Sequence, residues 1–309
     1  MNTQSKAMSE SLEGKRVAVA ALPETRLFLW SVRRELWENR SIYLAPLGVA
    51  AVFLLGFLIS TIHLPAKMRG LSLADPAHYR EQIIMPYDIV AGLLMVTTIL
   101  VNVFYCVDAL QGERRDRSIL FWKSLPVSDW TTVLAKASIP LVVVPLVAWA
   151  VTVATQWIML LVSSVVLLGS GLSVAALWRE LAFFRMAMLL LYHFLAAHAI
   201  WPFPVYCWLL LVSAWARRAA WLWAVLPLVA IGGLEMIVFH TSYFGALVGS
   251  RLVGAAPTDF TPKDLFPTGP MTHITPERFL ASLALWMGFA LAVAFLAGAV
   301  RMRRLRGPM

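Results

Sequence analysis

Three groups of side chains in this sequence have the types and spacing to do chemistry. His193 and His198 could ligate a metal or carry a proton, Glu235 sits alone in the apolar stretch GGLEMIVFH, and Glu113 to Arg117 form the charged run ERRDR. Spacing limits the first pair. Five residues advance a helix by about 500°, which leaves the two imidazoles about 140° apart and unable to chelate one ion from one face. They read better as structural or pore-lining groups. The sequence holds no HExxH for zinc, no GxSxG for a serine nucleophile and no GxxxxGK[ST] loop to cradle phosphate. The expectation is a chain with no catalytic residue and no metal or cofactor of its own.

Glu235 needs a different account. An acid within a membrane span costs about 2.5–3.5 kcal/mol on insertion scales, so it faces protein or water. Glu235 therefore either lines a translocation path, with Asn102 and His198 as further candidates, or pairs locally and holds helices together. For Asn102 and Gln156 an interhelical hydrogen bond is the simpler reading. Cys106 and Cys207 both fall inside expected spans, where they read as small buried apolar residues.

These readings presuppose a membrane, and the composition requires one. Of 309 residues 60% are hydrophobic and only 14% charged, against about a quarter in a soluble domain. A span needs about twenty apolar residues. The expected fold is an all-α membrane protein with six transmembrane helices over about 42–64, 88–108, 132–168, 186–216, 219–240 and 276–300. Residues 1–22 read as a loose cytoplasmic N-terminus, and 23–306 as one transmembrane domain. No apolar core follows a short basic start within the first forty residues, so no cleavable signal is expected and the first span directs insertion. The uncharged run 137–178 is long enough for two spans, but six spans leave both ends on one side, with 18 Lys and Arg inside and 8 outside. That is the cytoplasmic bias of basic residues, and it accounts for the net charge of +9 without any nucleic acid.

Several local features follow. Residues 23–40, PETRLFLWSVRRELWENR, gather Phe28, Leu29, Val32 and Leu36 on one side of a helix and Ser31, Arg34, Glu35 and Glu38 on the other, with Trp30, Arg33 and Trp37 between. Rings at headgroup depth beside snorkelling arginines describe an interfacial helix in contact with lipid. Trp201-Pro-Phe-Pro204 removes two backbone donors and predicts a kink or unwound stretch in the fourth span. Pro140 and Pro145 bend the third. The segment TSYFGALVGSRLVGAA, before the last span, is apolar enough to dip back into the membrane from outside.

The charged run belongs to a longer island. Gly112 to Trp130, GERRDRSILFWKSLPVSDW, places four basic and three acidic residues in nineteen positions between the second and third spans. Ser118 can cap a short helix that Pro126 then ends, and Ser128-Asp129 can cap the third span. Such a helix must bury Phe121, Trp122 and Leu125 against lipid or against another protein.

Here the sequence resembles the permease subunits of ABC type-2 exporters. In that family the loop after the second span reads approximately E-R-x-x-G-T-L, then a Pro-Val-Ser turn, then a helix reaching a Lys. This chain has Glu113-Arg114, Ser118, Leu120, Pro126-Val127-Ser128 and Lys136 in that order, with Arg117-Ser118 in place of Gly-Thr. RRELWENRSIYLAPL is similar to the connector helix leading into the first span, which implies that role for Trp30, Arg33, Arg34, Glu35 and Trp37. The resemblance further implies a bacterial cytoplasmic membrane protein with both ends inside. It implies a pair of permeases, a homodimer before a heterodimer, on two separate ATPase subunits that bind the ATP and Mg. The ATPase would be met by Glu113, Arg114, Arg115, Asp116, Arg117, Ser118, Phe121, Trp122, Leu125 and Pro126. The alternative is a stand-alone, ion-coupled carrier using Glu235 and His198. It predicts acids in several spans and an inverted repeat, and the sequence offers one acid and no repeat.

Overall fold

In hydrocarbon a helix must satisfy its own backbone groups, so proline decides where an apolar run departs from a straight helix. The computed structural model describes residues 24–71, 76–116, 118, 127–253 and 276–305. Among them every regular element is helical. Six helical stretches are long and apolar enough to cross a membrane: Ser41–Gly70, Arg80–Arg115, Asp129–Gly169, Leu177–Ile200, Ala220–Phe239 and Leu283–Leu305. The protein is a multi-pass helical membrane protein.

In chain order, α1 (Glu24–Glu38) leads into α2 (Ser41–Ser60), which continues through a tight turn into α3 (Leu64–Leu71). The second span is α4 (Pro76–Asp108), followed by the short α5 (Gln111–Arg115). The third begins as α6 (Asp129–Ser138), capped by the Ser128 hydroxyl, which accepts from the Thr131 amide at 3.0 Å. It widens into a π turn at Ile139–Val143 and proceeds as α7 (Val144–Gly169). Gly171, at φ +70°, turns the chain toward α8 (Ala175–Leu181) and α9 (Phe183–Leu195). A second π turn, Ala196–Ile200, precedes α10 (Phe203–Trp215), and α11 (Ala220–Phe239) forms a hairpin with α12 (Tyr243–Val253). Next come α13 (Pro276–Ala281), with proline at its first position, and α14 (Leu283–Leu305).

At both π turns a side chain supplies a donor that the backbone lacks. Val144 donates to Ile139, five residues back, so the Pro140 carbonyl loses its ordinary donor, and its next candidate, residue 145, is itself a proline without an N–H. Asn102 fills the gap, its amide reaching that carbonyl at 3.4 Å. In the fourth span Pro202 has no N–H for the His198 carbonyl, and the Tyr206 hydroxyl supplies the donor at 3.0 Å. Where the sequence predicts one bent span over 186–216, the structure therefore has two helices with a turn at Trp201-Pro202 between them. They belong to different cores. α10 packs with Ile42, Tyr105 and Val133, while α9 packs with Phe57, Leu94 and Met159 toward the other end of the bundle.

A third apolar cluster sits at the break, where Trp201 meets Phe279 and Leu285. α12 folds back from the end of α11 to reach it. Its Arg251, 8% exposed, lies 3.8 Å over the Trp201 ring. It donates to the Trp201 carbonyl at 2.9 Å and to that of Ala284, and the Trp201 indole donates to the Ser250 carbonyl at 3.0 Å. An interrupted helix is held by a side chain from a neighbouring one, the arrangement that non-helical backbone at membrane depth requires.

α10 and α14 run parallel and in close contact, pairing Phe203 with Phe289 and Trp208 with Phe295 at ring separations of 5.7 and 5.5 Å. Small residues set that approach. A Cβ on Gly288 would lie 2.8 Å from Arg251 Nη1 and 3.0 Å from Pro204, whereas one on Gly48 would meet nothing within 4 Å. Gly288→Ala is therefore expected to cost about 1–3 kcal/mol, as overpacking does, and Gly48→Ala to be neutral. Thermal unfolding of the two variants in detergent checks the contrast; equal melting temperatures would dissociate Gly288 from the Arg251 clamp.

Candidate functional site

The largest concentration of polar chemistry lies at one end of the bundle, where α1, α5, α6 and α14 converge. Helical spacing puts Arg34 and Glu35 on the side of α1 that faces α6, and Glu35 is 1% exposed. Its carboxylate accepts from Lys136 Nζ at 2.8 Å, Arg34 Nη2 at 2.6 Å and the Tyr105 hydroxyl at 2.8 Å. Glu113, at the start of the charged island, accepts from the same Arg34 nitrogen at 2.8 Å. It also lies 3.1 Å from Lys136 and 3.4 Å from Arg303 at the end of α14. Arg303 continues to Asp129 at 3.2 Å, and Arg304 flanks it at 3.7 Å. Three acids and three buried or half-buried bases thus tie together the helix before the first span and the second, third and last spans.

Such a network is stable only when every charge keeps its partner, because removing one leaves another desolvated and unpaired. Burial by itself would push the pKa of Glu35 up, because it disfavours the charged carboxylate. The neighbouring charges of Lys136 and Arg34, with hydrogen bonds from Lys136 and Tyr105, outweigh it and hold the carboxyl below the usual carboxylate range.

The next residue works on the backbone. Arg114, 2% exposed, donates to the Ala214 carbonyl and, at 2.5 Å, to that of Ala216. These are carbonyls at the end of α10, which lack intrahelical donors and attract a cation. In return the Ser213 hydroxyl accepts from the Leu110 and Gln111 amides at 3.0 and 2.9 Å. The first half of the island is therefore locked onto the broken fourth span as well.

Beyond Arg114 the island turns outward. Arg115 and Asp116 are exposed, paired with each other at 3.3 Å, and Arg115 also reaches Asp108 at 3.6 Å. The Ser118 hydroxyl donates back to the Glu113 carbonyl at 3.3 Å. Arg117, Phe121, Trp122, Leu125 and Pro126 lie outside the described residues.

On α1 Arg34 and Glu35, from the polar side of the helical wheel, turn inward to their partners beside Val32 and Leu36, which pack on the core, while Glu38 stays exposed. The exposed side carries Leu29, Trp30, Arg33 and Trp37. Arg33 lies over both rings, 5.4 Å from Trp30 and 4.7 Å from Trp37, a cation–π arrangement that keeps the guanidinium among aromatic surfaces.

Of the three candidates for a translocation path, Asn102 and the His198 backbone meet through Tyr206, whose hydroxyl neighbours both. Glu235 is placed differently. Its carboxylate accepts from the Thr241 hydroxyl at 2.9 Å and from the Tyr243 and Phe244 amides, both at 2.8 Å, so it caps the first turn of α12. Gln156 donates to the Tyr87 carbonyl at 3.1 Å. Among the described residues no group of three or more His, Cys, Asp or Glu could hold a metal ion.

Sequence reasoning passed over Lys136, Asp129, Arg303 and Tyr105 as parts of this site, and Arg251 as the clamp on Trp201. Their one shared signal is a charge or hydroxyl within about two turns of the end of an apolar helix. When the chain is compared with protein-family models, with curated proteins and with solved structures, none matches.

Lys136→Met leaves Glu35 and Glu113 short of a buried cation and is expected to cost about 3–5 kcal/mol. Adding Glu35→Gln recovers part of that, a coupling of about 0.5–3 kcal/mol measurable by unfolding the single and double variants. Because the folded carboxyl of Glu35 titrates lower than the unfolded one, its stabilisation is complete above the ordinary carboxylate range, near pH 4, and is lost as pH falls through the folded value. Melting temperature should drop on acidification below about pH 4 more steeply in the wild type than in Glu35→Gln.

Proposed function

We propose that this chain is the membrane-spanning permease subunit of an ATP-driven exporter of the ABC type-2 kind. One observation carries the reading most: Glu113 and Arg114, the inward half of the charged island, are bonded to α1, α6, α10 and α14, while Arg115 and Asp116 face out. A push received on the outward part of the island would be passed to the second, third, fourth and last spans together. The resemblance in Glu113-Arg114, Ser118, Pro126-Val127-Ser128 and Lys136 supports the same assignment.

On this reading the partners are two ATPase subunits, which bind ATP and Mg, and a second permease copy. The chain lies in a bacterial cytoplasmic membrane with the ion cluster and both ends on the cytoplasmic side, where basic residues concentrate. Phe121, Trp122 and Leu125 anchor in an apolar groove of the ATPase, and the neighbouring charges set orientation. Closure of the ATPase pair moves the island, and the cluster converts that movement into rocking of the permease halves. The ion-coupled alternative through Glu235 and His198 has less support, since Glu235 already accepts three hydrogen bonds as the cap of α12.

Full-length protein expressed with the ATPase encoded beside it should co-purify with it and stimulate its hydrolysis. Phe121→Ala with Trp122→Ala is expected to lower that stimulation at least tenfold at unchanged thermal unfolding. Absence of any association would refute the exporter assignment, and normal stimulation by the double variant would remove Phe121 and Trp122 from the contact.

A further inference from the structure

At the end of the bundle opposite the ion cluster, two adjoining recesses have complementary chemistry. The first is a cleft of about 680 Å³ between α2 and α4, lined by Gly48, Val52, Gly56, Met85 and Leu93 among others, with Ser60 its only polar side chain among the described residues. Its volume falls within the range of about 300–1,000 Å³ typical of small-molecule sites. Gly48, Val52, Gly56 and Ser60 follow one another at intervals of four along one face of α2, so the missing side chains of the two glycines form a trough running along the helix. A Cβ on either would meet nothing within 4 Å. Helix packing therefore leaves these glycines unused, unlike Gly288.

The second recess, about 130 Å³, lies between α2, α3, α4 and α7 and shares Phe57, Ser60 and Pro86 with the first. It carries more polar side chains than the first: His63, Lys67, Gln82, Tyr87 and Ser163 line it among apolar neighbours, and among the described residues no acid does. Lys67 forms no ion pair among the described residues. Of the described acids that follow Lys67 in sequence, Glu81 is exposed and Asp88 buried, and no ion pair joins either to Lys67; Glu180 on α8 lies 3.6 Å from Arg80, and Asp75 lies outside the described residues. The Tyr87 residue is 2% exposed, and only Ser163 neighbours its hydroxyl.

We infer that the two recesses together bind one amphiphile of the surrounding bilayer, with its acyl chain in the glycine trough and an anionic headgroup against Lys67 and His63. Depth is consistent with this. Ser60 ends a twenty-residue apolar helix, a length of about 30 Å that spans the hydrocarbon core, which puts Lys67 and His63 at headgroup level. Chain and trough gain little from the hydrophobic effect, because lipid tails are as apolar as the cleft. Selectivity therefore rests on the head, where a charge-assisted hydrogen bond to the ammonium is the strong contact available. The site does not depend on how transport is energised.

The test uses the full chain in phosphatidylcholine nanodiscs containing a small fraction of phosphatidylglycerol that carries a photoreactive diazirine in mid-chain. Labelled peptides should map to residues 48–60 and 85–93, and unlabelled phosphatidylglycerol should compete while added phosphatidylcholine does not. Lys67→Gln, which removes the head contact, and Gly56→Leu, which fills the trough, should each lower labelling at least fivefold without changing thermal unfolding. Unchanged labelling in both variants would overturn the inference. So would labelling spread equally over the lipid-exposed face of α11, competition by phosphatidylcholine of equal strength, or full competition by glycerol phosphate, which has the charge and no chain.

Discussion

Glu35 and Lys136 form the contact on which the rest of this fold depends. Each is buried almost completely, each would be costly alone, and they come from helices a hundred residues apart in sequence. Pairing them forces α1 against α6, and α1 can then enter the first span only at one angle. The same two groups recruit Arg34, Glu113, Arg303 and Asp129, so the second and last spans inherit their positions from the same charges. Apolar spans alone would not choose this arrangement, since one lipid-facing leucine surface is much like another. A handful of charges gives the bundle a register at one end.

The other organising constraint is the hydrocarbon demand that no backbone group go without a partner. Prolines at 140, 145, 202 and 204 create the deficits, and Asn102, Tyr206 and Arg251 each remove one. The three have the same physical role although they differ in charge and origin. Arg251 carries the additional consequence that α12 cannot move away without uncovering the Trp201 carbonyl. The broken fourth span and α12 are thus one structural unit, pinned by a guanidinium stacked on an indole. Between the two constraints, the charged island sits where the register is set and is also bonded to the lower half of the broken span. Movement of the island is therefore felt by most of the bundle.

Much of this architecture was legible in the sequence. The long uncharged runs marked the spans, the proline pair marked the break, and Ser128 marked a helix start, because local composition and local backbone chemistry suffice to place such elements. The partnerships were less accessible. Arg34 and Glu35 looked like the wet side of a surface helix because a wheel records polarity and is silent on which polar groups have distant partners. Glu235 looked like a membrane-buried acid in search of a function, whereas the turn at His240 brings the amides of Tyr243 and Phe244 back to it.

The sequence by itself determined that the chain crosses a membrane as helices, where those helices begin and break, and which residues carry charge among them. The tertiary structure alone decided which charges are buried and which are exposed: Glu113 and Arg114 inward, Arg115 and Asp116 outward, Glu35 against Lys136. The physical reason is distance along the chain. Hydropathy and proline act over a few residues and leave a local trace, but a buried ion pair joins residues a hundred positions apart, and its stabilisation exists only once the helices that bear it have met.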